Sequence, residues 1–210
     1  MPCLLYTSNP VVIAGFGRYG QIIGRVALAN GYECTVLDHD VQMIEAAQRF
    51  GYRVYFGDAT RLDLLRMAGA GTARVIAVAV DSKEQSLAIV DLVREHFPQA
   101  IIVARALDVT HWHELHARGV QHVEREVFES SLLSAQTLLV GLGHAPDDAK
   151  AMIERFRAHN LDLLERQHPH FRDRQALIAV TRQARDELER QLAQERQMNL
   201  SSTNAKSRDA

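Results

Sequence analysis

The 210-residue chain has no apolar run long enough to cross a bilayer, which takes about 18 to 20 residues. Its longest clean stretch is Val75 to Val80, so nothing in this sequence spans a membrane by itself. Cysteine is scarce. Cys3 and Cys34 offer neither a disulfide framework nor a metal-binding spacing, which suits a reducing, cytosolic compartment. Met1 to Pro10 lack a basic n-region and an apolar core of signal-peptide length, so secretion is not expected. An excess of one charge is also missing: 24 Lys and Arg face 26 Asp and Glu, a formal net charge of −2. That balance argues against a general nucleic-acid or anionic-membrane partner. Lysine is rare, with only Lys83, Lys150 and Lys206, and the other 21 basic residues are arginine. A guanidinium fork suits carboxylates and phosphates, although a GC-rich genome produces the same bias.

What is present is an ordinary globular composition, 47% apolar and 24% charged, enough for one substantial core and a small appendage. From 11 to 125, short β-branched runs alternate with helical patterns about every twenty residues, the pattern of a parallel sheet wrapped by helices. The strands predicted are Val11 to Gly15, Glu33 to Asp38, Arg53 to Phe56, Arg74 to Val80, Ile101 to Ala104 and a weak one near Gln121 to Val123. The fold expected is α/β: a Rossmann-type six-stranded parallel sheet followed by helical dimerisation and C-terminal segments. Thr60 with Asp63, Ser82 with Gln85, and Asp40 are placed to cap helices. Right-handed crossovers would bring all strand carboxyl ends to one ligand-binding edge.

Beyond 125 the pattern is wholly helical. Glu126 to Leu142 carries Phe128, Leu132, Ala135, Leu139 and Leu142 at four- and three-residue steps, and Gly141 and Gly143 end it. Pro146, Asp147 and Asp148 open a second helix. A third, about Phe171 to Met198, is amphipathic through Leu177, Thr181, Ala184, Leu188 and Leu192. The domain organisation expected is a disordered lead (1–10), a nucleotide-binding domain (11–125), a helical crossover and peripheral region (126–198) and a disordered polar tail (199–210).

The clearest motif is Gly15-Phe16-Gly17-Arg18-Tyr19-Gly20, which follows a strand and opens a helix. The first glycine allows the tight turn, the second lets amides approach a phosphate, and the third lets helix and strand pack closely. A phosphate there would meet free N–H groups and the positive end of the helix dipole. Asp38 ends the second strand, eighteen residues past Gly20. Its carboxylate can accept both ribose hydroxyls and would repel a 2′-phosphate, which points to NAD(H) or an adenosine mononucleotide over NADP. The cofactor-binding set expected is Gly15, Gly17, Arg18, Tyr19, Gly20, Asp38, Asp40, Asp58, Ala59, Asp81 and Arg105. Arg18 is either a phosphate partner or a solvated loop arginine. Asp58 and Arg105 either touch ligand or pair with each other.

Gly57-Asp58-Ala59-Thr60, with Leu64-Leu65 and Ala68-Gly69-Ala70, resembles the RCK or KTN (TrkA-N) nucleotide-binding domains that regulate potassium channels and transporters. Val12 to Gln21, Val36 to Asp40, Glu95 to Pro98 and Ala104 to Ala106 sharpen the likeness. They resemble the cytoplasmic domain of Kef-type glutathione-gated potassium efflux systems, over about 9 to 165. The resemblance implies a homodimer of Rossmann units, AMP or NAD(H) in each crevice, and glutathione between subunits. The glutathione contacts it implies are Arg25, Arg125 and Asn160, with Phe50 as the aromatic that bulky conjugates displace to favour opening. It further implies a membrane K+ efflux (K+/H+ antiport) domain ahead of residue 1, absent from this chain. An accessory flavoprotein oxidoreductase and a place on the cytoplasmic face of the inner membrane are implied as well.

The residues also admit plainer readings. Arg25 lies beside Ile22, Ile23 and Val26 on a helix, where a solvated arginine is usual. Arg125, between Glu124 and Glu126, can pair locally. Asn160 can end a helix, and Phe50 can be core. His111, His113 and His116 cannot all share one helix face, so solvated histidines are expected over a metal site, with Trp112 as packing. No Tyr-x-x-x-Lys occurs. The reading is non-enzymatic; a stand-alone NAD(H)-binding redox sensor and, further off, an NAD-dependent dehydrogenase are the alternatives.

Overall fold

The computed structural model describes residues 10–187 and residue 190. The predicted lead before residue 10, the far part of the third amphipathic helix and the polar tail lie outside them. The chain divides into two compact units between Val127 and Phe128.

In the first unit, six strands alternate with five helices. They are β1 (Val11–Ala14), α1 (Arg18–Ala29), β2 (Cys34–Asp38), α2 (Val41–Arg49), β3 (Arg53–Phe56), α3 (Leu62–Met67), β4 (Val75–Val78), α4 (Lys83–His96), β5 (Ile101–Ala106), α5 (Val109–Ala117) and β6 (His122–Arg125). All pairings are parallel, and the order is β3-β2-β1-β4-β5-β6, the Rossmann order. Strands covered on both faces read as unbroken apolar runs. Accordingly Val12, Ile13, Ala14, Val36, Leu37, Ile76, Ala77 and Val78 are all buried. Pro10 is already fixed, its carbonyl accepting from the Arg74 and Val75 amides at 2.8 and 3.1 Å, so the expected disorder does not extend to it.

Register positions the site. Ala14 pairs with Leu37 on one side and Val78 on the other, so Gly15, Asp38 and Ala79 emerge level at the carboxyl edge. The strand order reverses between β1 and β4, the switch point where open α/β sheets take ligands. Ser82 caps α4, accepting from the Gln85 amide at 3.2 Å, and Asp40 caps α2, accepting from the Gln42 amide at 2.8 Å. The Thr60 cap fails: α3 starts at Leu62 with Arg61 at its N-cap. The Thr60 amide instead donates to Asp58 Oδ1 at 2.8 Å, an Asx turn that takes up the residues expected to form the capping box.

The second unit holds α6 (Phe128–Gly141), α7 (Pro146–Gln167), a 3-10 turn (His168–His170) and a helical stretch over 174–187. In α6 the predicted stripe is its more covered face, with Leu132 buried, but Leu142 falls beyond the helix and is exposed. Arg157 of α7 donates to both oxygens of Glu129 of α6, at 3.1 and 2.8 Å.

Candidate functional site

A cleft of about 530 Å³ opens at the carboxyl edge over β1, β2 and β4, lined by Gly15, Gly17, Asp38, Asp58, Ala59 and Asp81 among others. The glycine turn divides its labour as its spacing predicts. Gly15 has φ +92°, and a Cβ there would lie 2.8 Å from the Ala79 carbonyl carbon; one on Gly20 would lie 2.1 Å from the Gly15 oxygen. A side chain at Gly15 would push the turn away from the chain leaving β4, and one at Gly20 would push α1 away from the turn. Gly17 differs, since a Cβ there would meet nothing closer than Asp81 Oδ2 at 3.9 Å. Its side faces open cleft at the start of α1, where unpaired amides and the helix dipole favour an anion.

Asp38 is buried yet lines the cleft. Its Oδ2 accepts from the Phe16 amide at 2.5 Å and its Oδ1 from the Asp40 amide at 2.8 Å. Each oxygen keeps a further lone pair, so the carboxylate can brace the turn and still accept ribose hydroxyls. Asp40 also lines the cleft while capping α2. Asp58 is held below the usual carboxylate range, chiefly by the Thr60 amide.

Four of the expected contacts are placed differently. Arg105 is 3% exposed: Nη2 donates to the Val80 carbonyl at 2.9 Å and to Asp81, and Nη1 lies 3.5 Å from Glu126. It pairs with Asp81 and Glu126, not Asp58, because β5 lies beside β4 and away from β3. Arg18 is 96% exposed and lies 3.9 Å from Glu126. Tyr19 stacks under the Arg105 guanidinium at 5.6 Å; burial pushes its phenol up, Glu124 adds to this and Arg105 opposes it. Gly20 packs into the sheet and does not line the cleft. Sequence reasoning missed His39, Met43, Val80 and Gln85 as lining residues. They directly follow or lie one helical turn beyond strand ends already noted, which was the available signal.

Of the four residues implied for glutathione, two come together. The Arg25 guanidinium lies 5.6 Å over the Phe50 ring, which is 56% exposed at the end of α2 and so not core. Arg125 ends β6, on the sheet edge opposite β3. Asn160 lies within α7, which runs on to Gln167, so it does not end a helix. The expectation of solvated histidines is overturned: His111 and His113 are buried. Trp112 packs as expected, stacked on His116 at 3.9 Å. Among the described residues no cluster of His, Cys, Asp and Glu is arranged to hold a metal ion, and no helix is long and apolar enough to cross a membrane.

Residues 11–126 match the TrkA-N domain model. The chain belongs to the TrkA-N domain family. Residues 130–208 match the potassium efflux system KefB C-terminal domain, so the helical unit follows the same kinship. The glutathione-regulated potassium-efflux system protein KefC of Escherichia fergusonii is 44% identical over 170 residues, 81% of this chain and 27% of that protein. The chain therefore spans about a quarter of the length of the curated relatives it matches. The Kef CTD of Shewanella denitrificans in AMP-bound form superposes with TM-score 0.71 and 36% identity, covering 76% of this chain and 97% of that one. The TrkA-N domain of the Escherichia coli inner membrane protein ybaL shares the fold, at TM-score 0.57 and 20% identity over 67% of this chain and all of that one. The chain is an RCK-type domain of the Kef kind.

Proposed function

We propose that this chain is the nucleotide-binding regulatory domain of a Kef-type glutathione-regulated potassium efflux system, holding AMP or NAD(H) unreacted in the β1–β4 cleft. The observation that carries this reading is the glycine turn: Gly17 leaves the phosphate side of the α1 N-terminus clear, and Asp38 faces the same cleft from β2. The AMP-bound relative at 36% identity supports it. Phosphate would sit on the turn amides and ribose on Asp38, with Asp58 and Ala59 toward the base. Calorimetry of AMP and NADH against the wild-type chain and Gly17→Val tests this. The variant side chain fills the open face, so binding should fall at least about tenfold with the apo fold intact; equal binding would dismiss the turn as the phosphate site.

The second part of the reading is gating by glutathione or its conjugates at a homodimer interface, through Arg25, Phe50, Arg125 and Asn160. Sheet order supports a two-copy site. β3 and β6 are opposite edges of six strands, about 24 Å apart. One glutathione cannot bridge Phe50, which leads into β3, and Arg125 of the same chain. A bound tripeptide offers two carboxylates to arginine forks, and a bulky S-substituent pressing on Phe50 would give two ligands different preferences between conformations, as gating requires. Arg25→Ala and Arg125→Ala should each weaken a glutathione conjugate in calorimetry. Unchanged affinity in both would remove that pocket. The membrane domain these ligands would control, and an accessory flavoprotein oxidoreductase, are proposed partners on the cytoplasmic side. The output is regulation and not turnover, so NADH with a panel of carbonyl compounds should show no hydride transfer.

A further inference from the structure

Among the described residues the cleft is lined by four carboxylates, those of Asp38, Asp40, Asp58 and Asp81, and by no lysine or arginine. A site for a highly charged nucleotide ordinarily carries guanidinium or ammonium groups. Here the positive potential on the phosphate side comes from the turn amides and the N-terminus of α1. That is about half a unit charge, and it fades within a helical turn. It suits one phosphate.

Asp81 stands where anything beyond that phosphate must pass. Its Oδ2 lies 3.9 Å from the place a Gly17 Cβ would take, beside the open face of the turn. The side chain is 87% exposed but anchored from below: Arg105 holds its Oδ1 and the Val80 carbonyl together. That guanidinium is shared with Glu126 at 3.5 Å, so its charge is divided between two carboxylates and offsets that of Asp81 only in part. Oδ2 is left to face the turn. Arg18 does not line the cleft and leans toward Glu126 at 3.9 Å, and Lys83, two residues on from Asp81, pairs with Asp108.

We propose that Asp81 is the specificity-determining residue of the cleft, a fixed negative charge that admits adenine nucleotides without a further terminal phosphate and rejects ADP and ATP. This rests on the nucleotide reading above. Each terminal phosphate adds about one negative charge opposite Asp81, in a partly enclosed site where Coulomb interactions are stronger than in bulk water. A dinucleotide escapes the penalty because its second phosphate leads to a ribose, whose hydroxyls can donate to the same carboxylate.

The test is calorimetry of AMP, NADH, ADP and ATP in EDTA, which removes divalent cations that could bridge Asp81 to a polyphosphate. Wild type should bind AMP and NADH at least about tenfold tighter than ATP, with ADP between, and added salt should narrow the gap. Asp81→Asn keeps an acceptor for Arg105 while removing the charge, so the ratio of ATP to AMP affinity should rise about five- to tenfold. Asp38→Asn, on the ribose side, should weaken all adenylates and leave that ratio alone. Wild type binding ATP as tightly as AMP, or an unmoved ratio in Asp81→Asn, overturns the filter while the nucleotide reading stands. Binding of no adenylate at all overturns both.

Discussion

Asp38 and Phe16, 22 residues apart, are joined by a 2.5 Å hydrogen bond from the Phe16 amide to the Asp38 carboxylate. The acid that would read the ribose is thus also the brace of the turn that would hold the phosphate, and the two halves of the cleft form as one unit. Asp38→Ala leaves a buried amide without its acceptor, which costs about 1–3 kcal/mol. Urea unfolding of the apo chain should show that loss, and calorimetry a weaker AMP. Full apo stability with weaker AMP would mean that the carboxylate serves only the ligand.

Gly20 and Gly17 should respond to alanine to very different degrees. At Gly20 the new methyl overlaps the Gly15 carbonyl, and forcing α1 aside costs about 1–3 kcal/mol or more. At Gly17 the methyl enters open cleft, and the only cost is the poorer N-cap that alanine makes than glycine, about 1 kcal/mol or less. Thermal melts of the two apo variants separate these cases, and equal melting temperatures would contradict the packing role of Gly20.

Val127 has φ +58°, a left-handed conformation in which a β-branched side chain is strained by about 1–3 kcal/mol. It is also 68% exposed, so truncation forfeits little packing. Val127→Gly should raise stability by up to about 1 kcal/mol after the entropy cost of glycine. Chemical denaturation measures this, and a destabilised variant would show that the Val127 side chain matters more than its backbone strain.

His111 gives the fold a pH dependence of defined sign. It is fully buried, with Nδ1 accepting from the Leu107 amide at 3.2 Å and the proton therefore on Nε2. Its pKa falls below the ordinary 6.5, first through burial and then through Lys83 and Arg105, with Asp108 and Glu84 opposing. Between the folded and unfolded values the unfolded chain binds more protons, so stability rises with pH. This contribution is complete above about 6.5 and is lost on acidification below it. His111→Asn, which keeps an acceptor for Leu107, should flatten that part of the melting-temperature profile. An identical acid slope in both proteins would assign it elsewhere.

Much of this was legible in the sequence because it is local. Strand and helix periods, the order of the glycines, and the Asp40 and Ser82 caps depend on residues within one or two turns of each other. Even Asp38 follows from counting along one β-α-β unit. The Thr60 cap misled because its three-residue spacing to Asp63 fits a capping box and says nothing of Asp58, which claims the Thr60 amide first. The histidines misled for a related reason. Three positions on one helix were weighed against solvent, whereas α5 packs against β5 and β6 and takes His111 and His113 inside.

The sequence alone determined the alternation, the turn and the acid behind it, since backbone geometry and turn chemistry act over short separations. Only the tertiary structure decided which charges meet. Asp81 and Glu126 share Arg105, Arg25 lies over Phe50, and Arg125 stands at the far edge from β3. Those juxtapositions come from the order in which six parallel strands assemble, a non-local outcome of burying both faces of the sheet.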